Sequence, residues 1–397
     1  MERTSKILLV ITKAEIGGAQ VSVFNLAREL KRRGHDVKIM AGAGEYLPEA
    51  ARRIGLPFIR LSCLSRGLNP LTNLKLIFAF RRRCNKEGFD VVHINSSNAL
   101  FAAIGARWSR RPPRVVFTFR GLSVLDDGYR KAPIRYFFRL VFRFLLRYVD
   151  EVVFVSRANL ETARRQGVVN EGSVVYNGLD PTELQFAGRE QARRILSQET
   201  GGAIDDQTFL VGSVGRLAYQ KNYSFLVRQL AELSAEDSLL KAVIIGDGPE
   251  KEHLKRQIDE QGLSGTVFLL PERTDAFSYL PAFDLFVLPS RYEGLSITLI
   301  EVLFAGVPAL VSDVGGAREQ FSRGLFQVYP SGEERVFRER FLRLRDNPAI
   351  RRELAEGNRR SSSDFNITRT ADGYLALYFL SSSNKTPKEP QEPNTAN

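Results

Sequence analysis

Short, mostly apolar and β-branched segments punctuate this chain in two successive series, each followed by chain with helical spacing. The first series is "KILLVIT" (6–12), "HDVKIMAG" (35–42), "DVVHINS" (90–96), "RVVFTF" (114–119), "DEVVFVS" (150–156) and "SVVYNG" (173–178). The second is "FLVGSVGRL" (209–217), "KAVIIGDG" (241–248), "TVFLLP" (266–271), "LFVLPS" (285–290) and "PALVSD" (308–313). Strands apolar on both sides need cover on both sides, and parallel sheets built from alternating strands and helices provide it. The expected fold is therefore α/β: two Rossmann-like, doubly wound parallel-sheet domains facing a cleft, with ligands at the carboxyl ends of the strands. The turn-rich "LDPTELQFAGREQARR" (179–194) places the boundary near Glu183, giving domains 1–183 and 184–363. Residues 364–380, "DFNITRTADGYLALYFL", read as a terminal helix. The polar, Pro-rich tail 381–397 has almost nothing to bury and is expected to be disordered.

Composition removes several function classes. Cys63 and Cys84 stand in unrelated contexts and there are three histidines, so neither a disulfide frame nor a zinc site is expected. No apolar run approaches the roughly 20 residues that span a bilayer, and "MERTSKILLVIT" reads as a first strand and not as a signal peptide. A cytoplasmic location follows as the expectation. The net charge of +12 is unevenly placed: residues 1–185 carry 31 Lys and Arg against 16 Asp and Glu, while the remainder carries 26 against 29. A one-sided basic surface attracts anionic partners. No nucleic-acid motif accompanies the charge, so nucleic acid is not an expected partner and a lipid surface is. In "YRKAPIRYFFRLVFRFLLRYVD" (129–150), Arg135, Arg139, Arg143 and Arg147 recur every four residues. Two readings fit: a helix lying in an anionic lipid interface, or a crossover helix with snorkelling arginines on a solvated edge.

The chemistry concentrates in the second half. "PSRYEGLSITLIEVLFAGVPALVSD" (289–313) holds Glu293 at the carboxyl end of a strand and Glu301 within an apolar helix ending at Gly306. Eight residues are close to two helical turns, so both carboxylates are expected to face one side. A carboxylate among apolar side chains is costly without hydrogen-bond donors, and sugar or ribose hydroxyls are suitable ones. Gly294, Leu295 and Ser296 open the helix and offer backbone N–H groups to a phosphate. The competing reading pairs Glu301 with a core arginine and leaves Glu293 solvated. In "GRLAYQKN" (215–222), Arg216 and Lys221 can grip a diphosphate after Gly215, or stand as surface cations at a helix start. Gly17 and Gly18 allow either close approach of a ligand or a plain tight turn. Without a complete GxGxxG and a following acidic residue, a nicotinamide dinucleotide is poorly supported. "VIIGDGPE" (243–250) reads as a strand turning into a helix capped by Asp247.

Taken together, "GGAQ", "VVYNGLD" (174–180), "GRLAYQKN", "IIGDGPE", "EGLSITLIE" and "GVPALVSDVGGARE" (306–319) resemble, in order and spacing, the retaining glycosyltransferases of family 4, with Glu293 and Glu301 as the E-x7-E pair. The resemblance runs from about residue 6 to 380. It implies a GT-B fold with the C-terminal helix crossing back to the first domain. It further implies a nucleotide-sugar donor, UDP favoured, and no metal or other cofactor. At matching positions, Arg216 and Lys221 would neutralise the leaving diphosphate, and Glu301 would accept from the ribose. Glu293 would contact the donor sugar, Gly294–Ser296 the phosphates, and Leu270 to Glu272 the base. Gly17 and Gly18 would border the diphosphate from the other domain. The expected acceptor is a lipid-linked glycan at the inner leaflet. One departure stands out: Arg120 occupies a position where many members carry His, so any acid–base role there is in doubt, and phosphate or the acceptor is what it would hold instead. His93 is either an acceptor-side group or a packing residue. A nucleotide-sugar epimerase and a binder without turnover are the alternatives.

Overall fold

A computed structural model describes residues 4–65, 67, 69–122 and 131–379. The expected disordered tail and the first residues of the 129–150 segment lie outside these. By its internal contacts the chain forms two units, Met1–Leu179 with the chain from Asp364 onward, and Asp180–Ser363. The first crossing falls ahead of Glu183 because Leu179 still exchanges backbone hydrogen bonds with the returning chain, through Phe365 and Ile367.

The first unit is a seven-stranded, wholly parallel sheet in the order β3-β2-β1-β4-β5-β6-β7. Its strands are β1 (Lys6–Val10), β2 (Asp36–Ala41), β3 (Phe58–Arg60), β4 (Val91–Ile94), β5 (Arg114–Phe119), β6 (Glu151–Phe154) and β7 (Ser173–Val174). Its connecting helices are α1 (Gly18–Arg32), α2 (Tyr46–Arg53), α3 (Pro70–Glu87), α4 (Ala102–Arg107), α5 (Ala132–Leu145) and α6 (Arg157–Arg165). Alternate residues along each strand feed two apolar layers. One holds Leu8, Val92 and Phe117 with Leu76 and Phe80 of α3, Ala103 of α4 and Phe142 of α5; the other holds Leu9, Ile39 and Val116 with Leu26 of α1.

The second unit is a six-stranded parallel sheet in the order β10-β9-β8-β11-β12-β13. Its elements run α7 (Arg189–Glu199), β8 (Phe209–Val214), α8 (Tyr223–Ala235), β9 (Leu240–Ile245), α9 (Lys251–Glu260), β10 (Val267–Leu270), β11 (Leu285–Leu288) and α10 (Ile297–Ala305). After these come β12 (Ala309–Ser312), α11 (Ala317–Gln320), β13 (Val328–Tyr329), α12 (Glu334–Asp346) and α13 (Pro348–Ser362). Two edge strands, β3 and β13, were not expected from the sequence; each is too short to show a period.

The last helix, α14 (Ile367–Phe379), belongs to the first unit and packs on α1. Tyr374 and Tyr378 are fully buried there, and Arg33, just beyond the end of α1, binds Asp372 at 2.5 Å and the Thr368 carbonyl at 3.0 Å. Among the described residues, no helix is long and apolar enough to cross a membrane.

Candidate active site

Strand order reverses between β8 and β11 in the second unit, and in such sheets the loops beyond that point border an open crevice. The sequence-selected residues of this unit leave the carboxyl ends of four neighbouring strands: Gly215 and Arg216 after β8, Asp247 after β9, Leu270 and Glu272 at β10, Glu293 after β11. Here the structure joins two of them directly. Lys221 Nζ donates to Glu293 Oε1 at 2.7 Å, and Ser290 Oγ donates to the same oxygen at 2.7 Å. Gln220 Nε2 donates to Glu293 Oε2 at 3.2 Å and to the Tyr292 carbonyl at 3.1 Å. The Lys221 and Glu293 side chains are only 13% and 11% exposed, so this is a shielded ion pair and Glu293 is not a solvated loop acid.

Glycine makes this approach possible. A Cβ at Gly215 would lie 3.2 Å from Lys221 Cε, and one at Gly246 would lie 2.0 Å from the Gly215 carbonyl oxygen. Leu217 is locked to the next strand end through Leu217 N–H to the Asp247 carbonyl at 2.9 Å and Glu250 N–H to the Leu217 carbonyl at 3.0 Å. Asp247 is not the cap of α9, which begins only at Lys251; its carboxylate accepts from Gly248 N–H and Lys251, both at 2.7 Å. Asn222, directly after Lys221, has φ 57° and is the only non-glycine with positive φ among the described residues. Its buried Oδ1 has no hydrogen-bond partner. Asn tolerates this left-handed turn better than other side chains. Asn222→Gly should keep stability and rate, whereas Asn222→Val should lose about 1–2 kcal/mol and lower kcat more than it raises donor KM, because Lys221 is displaced. Thermal melts and steady-state kinetics on the same preparations check this.

The two glutamates do not share a helical face, as the sequence spacing suggested. α10 begins only at Ile297 with Ser296 as its N-cap, Ser296 Oγ accepting from Leu299 N–H at 3.4 Å, so Glu293 lies on the preceding loop. Glu301 lies in α10 between fully buried Ile300 and Val302 and is itself half-buried. No described residue hydrogen-bonds or ion-pairs with it, and its low-polarity surroundings push its pKa up to about 8. The alternative of an internal arginine partner for Glu301 is absent among the described residues.

The loop 293–296 is clamped from behind by "VGGAREQ". Gly316 N–H donates to the Gly294 carbonyl at 2.8 Å, and Gln320 Nε2 to the Ser296 carbonyl at 2.8 Å. Gly315, with φ +54°, presses so closely on Glu293 that a Cβ would lie 2.4 Å from its carbonyl oxygen. In the sequence, the adjacent glycines Gly315 and Gly316 are the only signal of this clamp. Arg216 is exposed, with no hydrogen bond or ion pair among the described residues, and its positive charge reaches Glu272. Burial and the charge of Asp247 raise the Glu272 pKa, and Arg216 opposes that shift. The Leu270 carbonyl already accepts from Gly246 N–H at 3.0 Å.

In the first unit Gly17 and Gly18 open α1, one turn before Ser22. Arg120 is not a free cation awaiting a phosphate. It donates to Asn95 Oδ1 at 2.6 and 3.2 Å, to Ser22 Oγ at 2.7 Å and to Asn177 Oδ1 at 2.5 Å, stapling the chain beyond β4, β5 and β7 to α1. Of the two readings of His93, the structure gives the packing residue and not the acceptor-side group. It is fully buried, with Nδ1 bonded to Tyr378 Oη and Nε2 to Thr118 Oγ1, both at 2.7 Å. Burial, reinforced by Arg120, holds its pKa well below the ordinary value, so it is a neutral packing residue under α14. Arg135 and Arg139 of α5 are half-buried, and the Arg139 guanidinium lies over the Tyr136 ring at 4.7 Å; only Arg143 and Arg147 of the four reach outward.

Two Rossmann-like parallel-sheet units in one chain, with the chemical residues gathered beyond the second sheet's reversal point, are the architecture of the GT-B class. HepE from Anabaena, solved in complex with UDP and glucose, has this fold, with TM-score 0.80 at 21% identity over 95% of this chain and 100% of that one. Residues 16–183 match the family described as Glycosyltransferase Family 4, and residues 197–361 match Glycosyl transferases group 1. The chain belongs to the family 4 glycosyltransferases and is a glycosyltransferase. It is 24% identical over 345 residues to the UDP-Gal:alpha-D-GlcNAc-diphosphoundecaprenol alpha-1,3-galactosyltransferase of Escherichia coli, covering 84% of this chain and 85% of that protein. It is 26% identical over 296 residues to the lipopolysaccharide core biosynthesis mannosyltransferase LpsB of Rhizobium meliloti, covering 68% and 81%.

Proposed function

We propose that this protein is a retaining glycosyltransferase that moves a sugar from a UDP-sugar to a lipid-linked glycan in lipopolysaccharide, capsule or exopolysaccharide synthesis. The observation that carries it is the Lys221–Glu293 pair beside an exposed Arg216 and a Glu301 that no described residue satisfies. The names of the relatives support the acceptor class, since one acts on a sugar linked to diphosphoundecaprenol and another in lipopolysaccharide core synthesis. UDP bound to HepE supports the donor class.

In the proposed reaction the donor's C1–O(phosphate) bond breaks and a C1–O(acceptor) bond forms on the same face of the sugar. The acceptor hydroxyl proton leaves with the departing phosphate oxygen. Arg216, Lys221 and the amino end of α10 meet the charge that develops on the diphosphate, the task a divalent ion performs elsewhere. Glu293, fixed by Lys221, Ser290 and Gln220, orients the sugar hydroxyls, and Glu301 accepts from the ribose. Gly215, Gly294 and Leu295 line the backbone path of the phosphates, with Leu270 and Glu272 flanking the base. Arg120, held by Asn95, Ser22 and Asn177, positions these groups and moves no proton. The enzyme works at the cytoplasmic face of the membrane that carries its acceptor.

The test incubates the purified protein with UDP-sugars and a polyprenyl-diphosphate-linked glycan, and reads the product anomer by NMR. Transfer with the donor's configuration kept, undiminished by EDTA, is expected. An inverted product or a chelator-sensitive rate would overturn the mechanism.

A further inference from the structure

Thirteen large apolar side chains are exposed among the described residues, and nine of them stand on one helical layer of the first unit. Leu71, Leu74 and Phe78 form a stripe at helical spacing along α3. Trp108 follows α4 and is 49% exposed. On α5, Ile134, Phe137, Leu140 and Phe144 face outward at 40–53% exposure. All three helices cover the same face of the sheet, for Leu76, Ala103 and Phe142 share one core layer beneath them. An exposed apolar area of this extent marks an interaction site.

The charge around it selects the partner. Segments 70–87, 102–111 and 131–148 contain thirteen basic residues and one acid, Glu87. That acid is neutralised by Lys38 at 2.8 Å and Arg83 at 3.1 Å. A protein partner presenting both an apolar centre and acids for so many cations would need matched geometry, whereas an anionic bilayer offers both everywhere. The arginine stripe singled out in the sequence is not the contact face, because Arg135 and Arg139 fold inward while the apolar stripe points out.

We propose that the outer face of α3, Trp108 and α5 lies in the interface of an anionic bilayer, its apolar side chains inserted and its cations at the headgroups. This rests on the reading of a lipid-linked acceptor and adds the surface that meets the lipid. The face holds the enzyme by burial as well as by charge, so added salt weakens attachment without abolishing it.

Trp108 is the only tryptophan in the chain and reports on this face directly. The unmodified full-length protein is mixed with phosphatidylcholine vesicles with and without phosphatidylglycerol. With anionic vesicles, Trp108 emission is expected to move to shorter wavelength and to be quenched by brominated lipid, and flotation to persist in high salt. Leu140→Asp with Phe144→Asp should lower partitioning about tenfold or more, since two apolar groups leave the interface. Both side chains are exposed, and slow donor hydrolysis, which needs no lipid, should be unchanged. Flotation with Trp108 unaltered would mean docking by charge alone and would overturn the proposal. So would vesicle-independent shielding of Trp108 in a dimer that Leu140→Asp dissociates, since the face would then join two copies. Transfer to a water-soluble acceptor separates the two claims: if it persists while vesicle binding fails, the surface falls and the proposed function stands.

Discussion

Lys221→Met is expected to lower kcat for sugar transfer by about 10²–10³-fold, the loss typical of removing one preorganised charge from a developing anion. The same change should lower stability by about 1–3 kcal/mol, because it strips a shielded carboxylate of its cation. Glu293 would keep Ser290 and Gln220 as donors, which limits the damage to the fold. Glu293→Gln should cost less stability, as an amide accepts from Ser290 without requiring a counter-charge. It should still reduce kcat strongly, because Lys221 would lose its anchor. The double variant separates the two roles: relative to Lys221→Met alone it should recover stability, since no unpaired charge remains, and recover no activity. Thermal melts and saturating-donor kinetics on the three variants measure both quantities. Full recovery of rate in the double variant would show that the pair serves only the fold.

Glu301 should make nucleotide binding pH-dependent, with a sign that the ligand-free structure dictates. Burial disfavours its charged form, so its pKa is pushed up to about 8 against an ordinary carboxylate value of about 4.3 in an unfolded chain. Between those values the folded protein holds a proton that the unfolded chain does not. Stability therefore falls as pH rises through that window, and the penalty is complete above the folded pKa. The carboxyl is not wholly shut off from solvent, so roughly 1–3 kcal/mol is the expected size, below full desolvation. Glu301→Gln should stabilise the ligand-free protein by that amount at pH 8 and leave it unchanged near pH 4. Donor binding reverses the preference, because ribose hydroxyls donating to the carboxylate favour its ionised form. UDP should thus bind more tightly as pH rises from about 6 to 8, releasing a proton. Titration calorimetry in buffers of different ionisation enthalpy should detect that proton, and in Glu301→Gln both the proton and the pH slope should vanish. Tight, pH-independent binding by the unaltered protein would remove Glu301 from the nucleotide site.

The sequence disclosed the architecture because parallel strands covered on both faces must be apolar throughout, and such runs stand out as "KILLV" or "LFVL". It singled out charged residues of the second unit because loops after those strands can carry charge where a core cannot, and the structure pairs two of them, Lys221 and Glu293. Four matters lay beyond the sequence, for identifiable reasons. The spacing of Glu293 and Glu301 suggested one helical face, but Ser296 starts the helix later. His93 has the same one-letter context whether it faces a ligand or α14, and only the returning chain brings Tyr378 onto its ring. Arg120 similarly gained its three partners from α1 and from the chain beyond β4 and β7, remote in sequence. In α5 the four-residue recurrence of arginine was real, yet amphipathicity names two faces without saying which is covered.

Local composition and periodicity by themselves determined the strand series, the helices between them, the glycine turns and the set of charged loops, because these follow from interactions within a few residues. Tertiary structure alone decided pairing: which cation meets Glu293, which carboxylate finds no partner among the described residues, and which side of α5 stays uncovered. Those outcomes depend on the three-dimensional neighbours of each group. Desolvation and hydrogen bonding are set by whatever the fold delivers to within a few ångströms, and no spacing along the chain encodes that delivery.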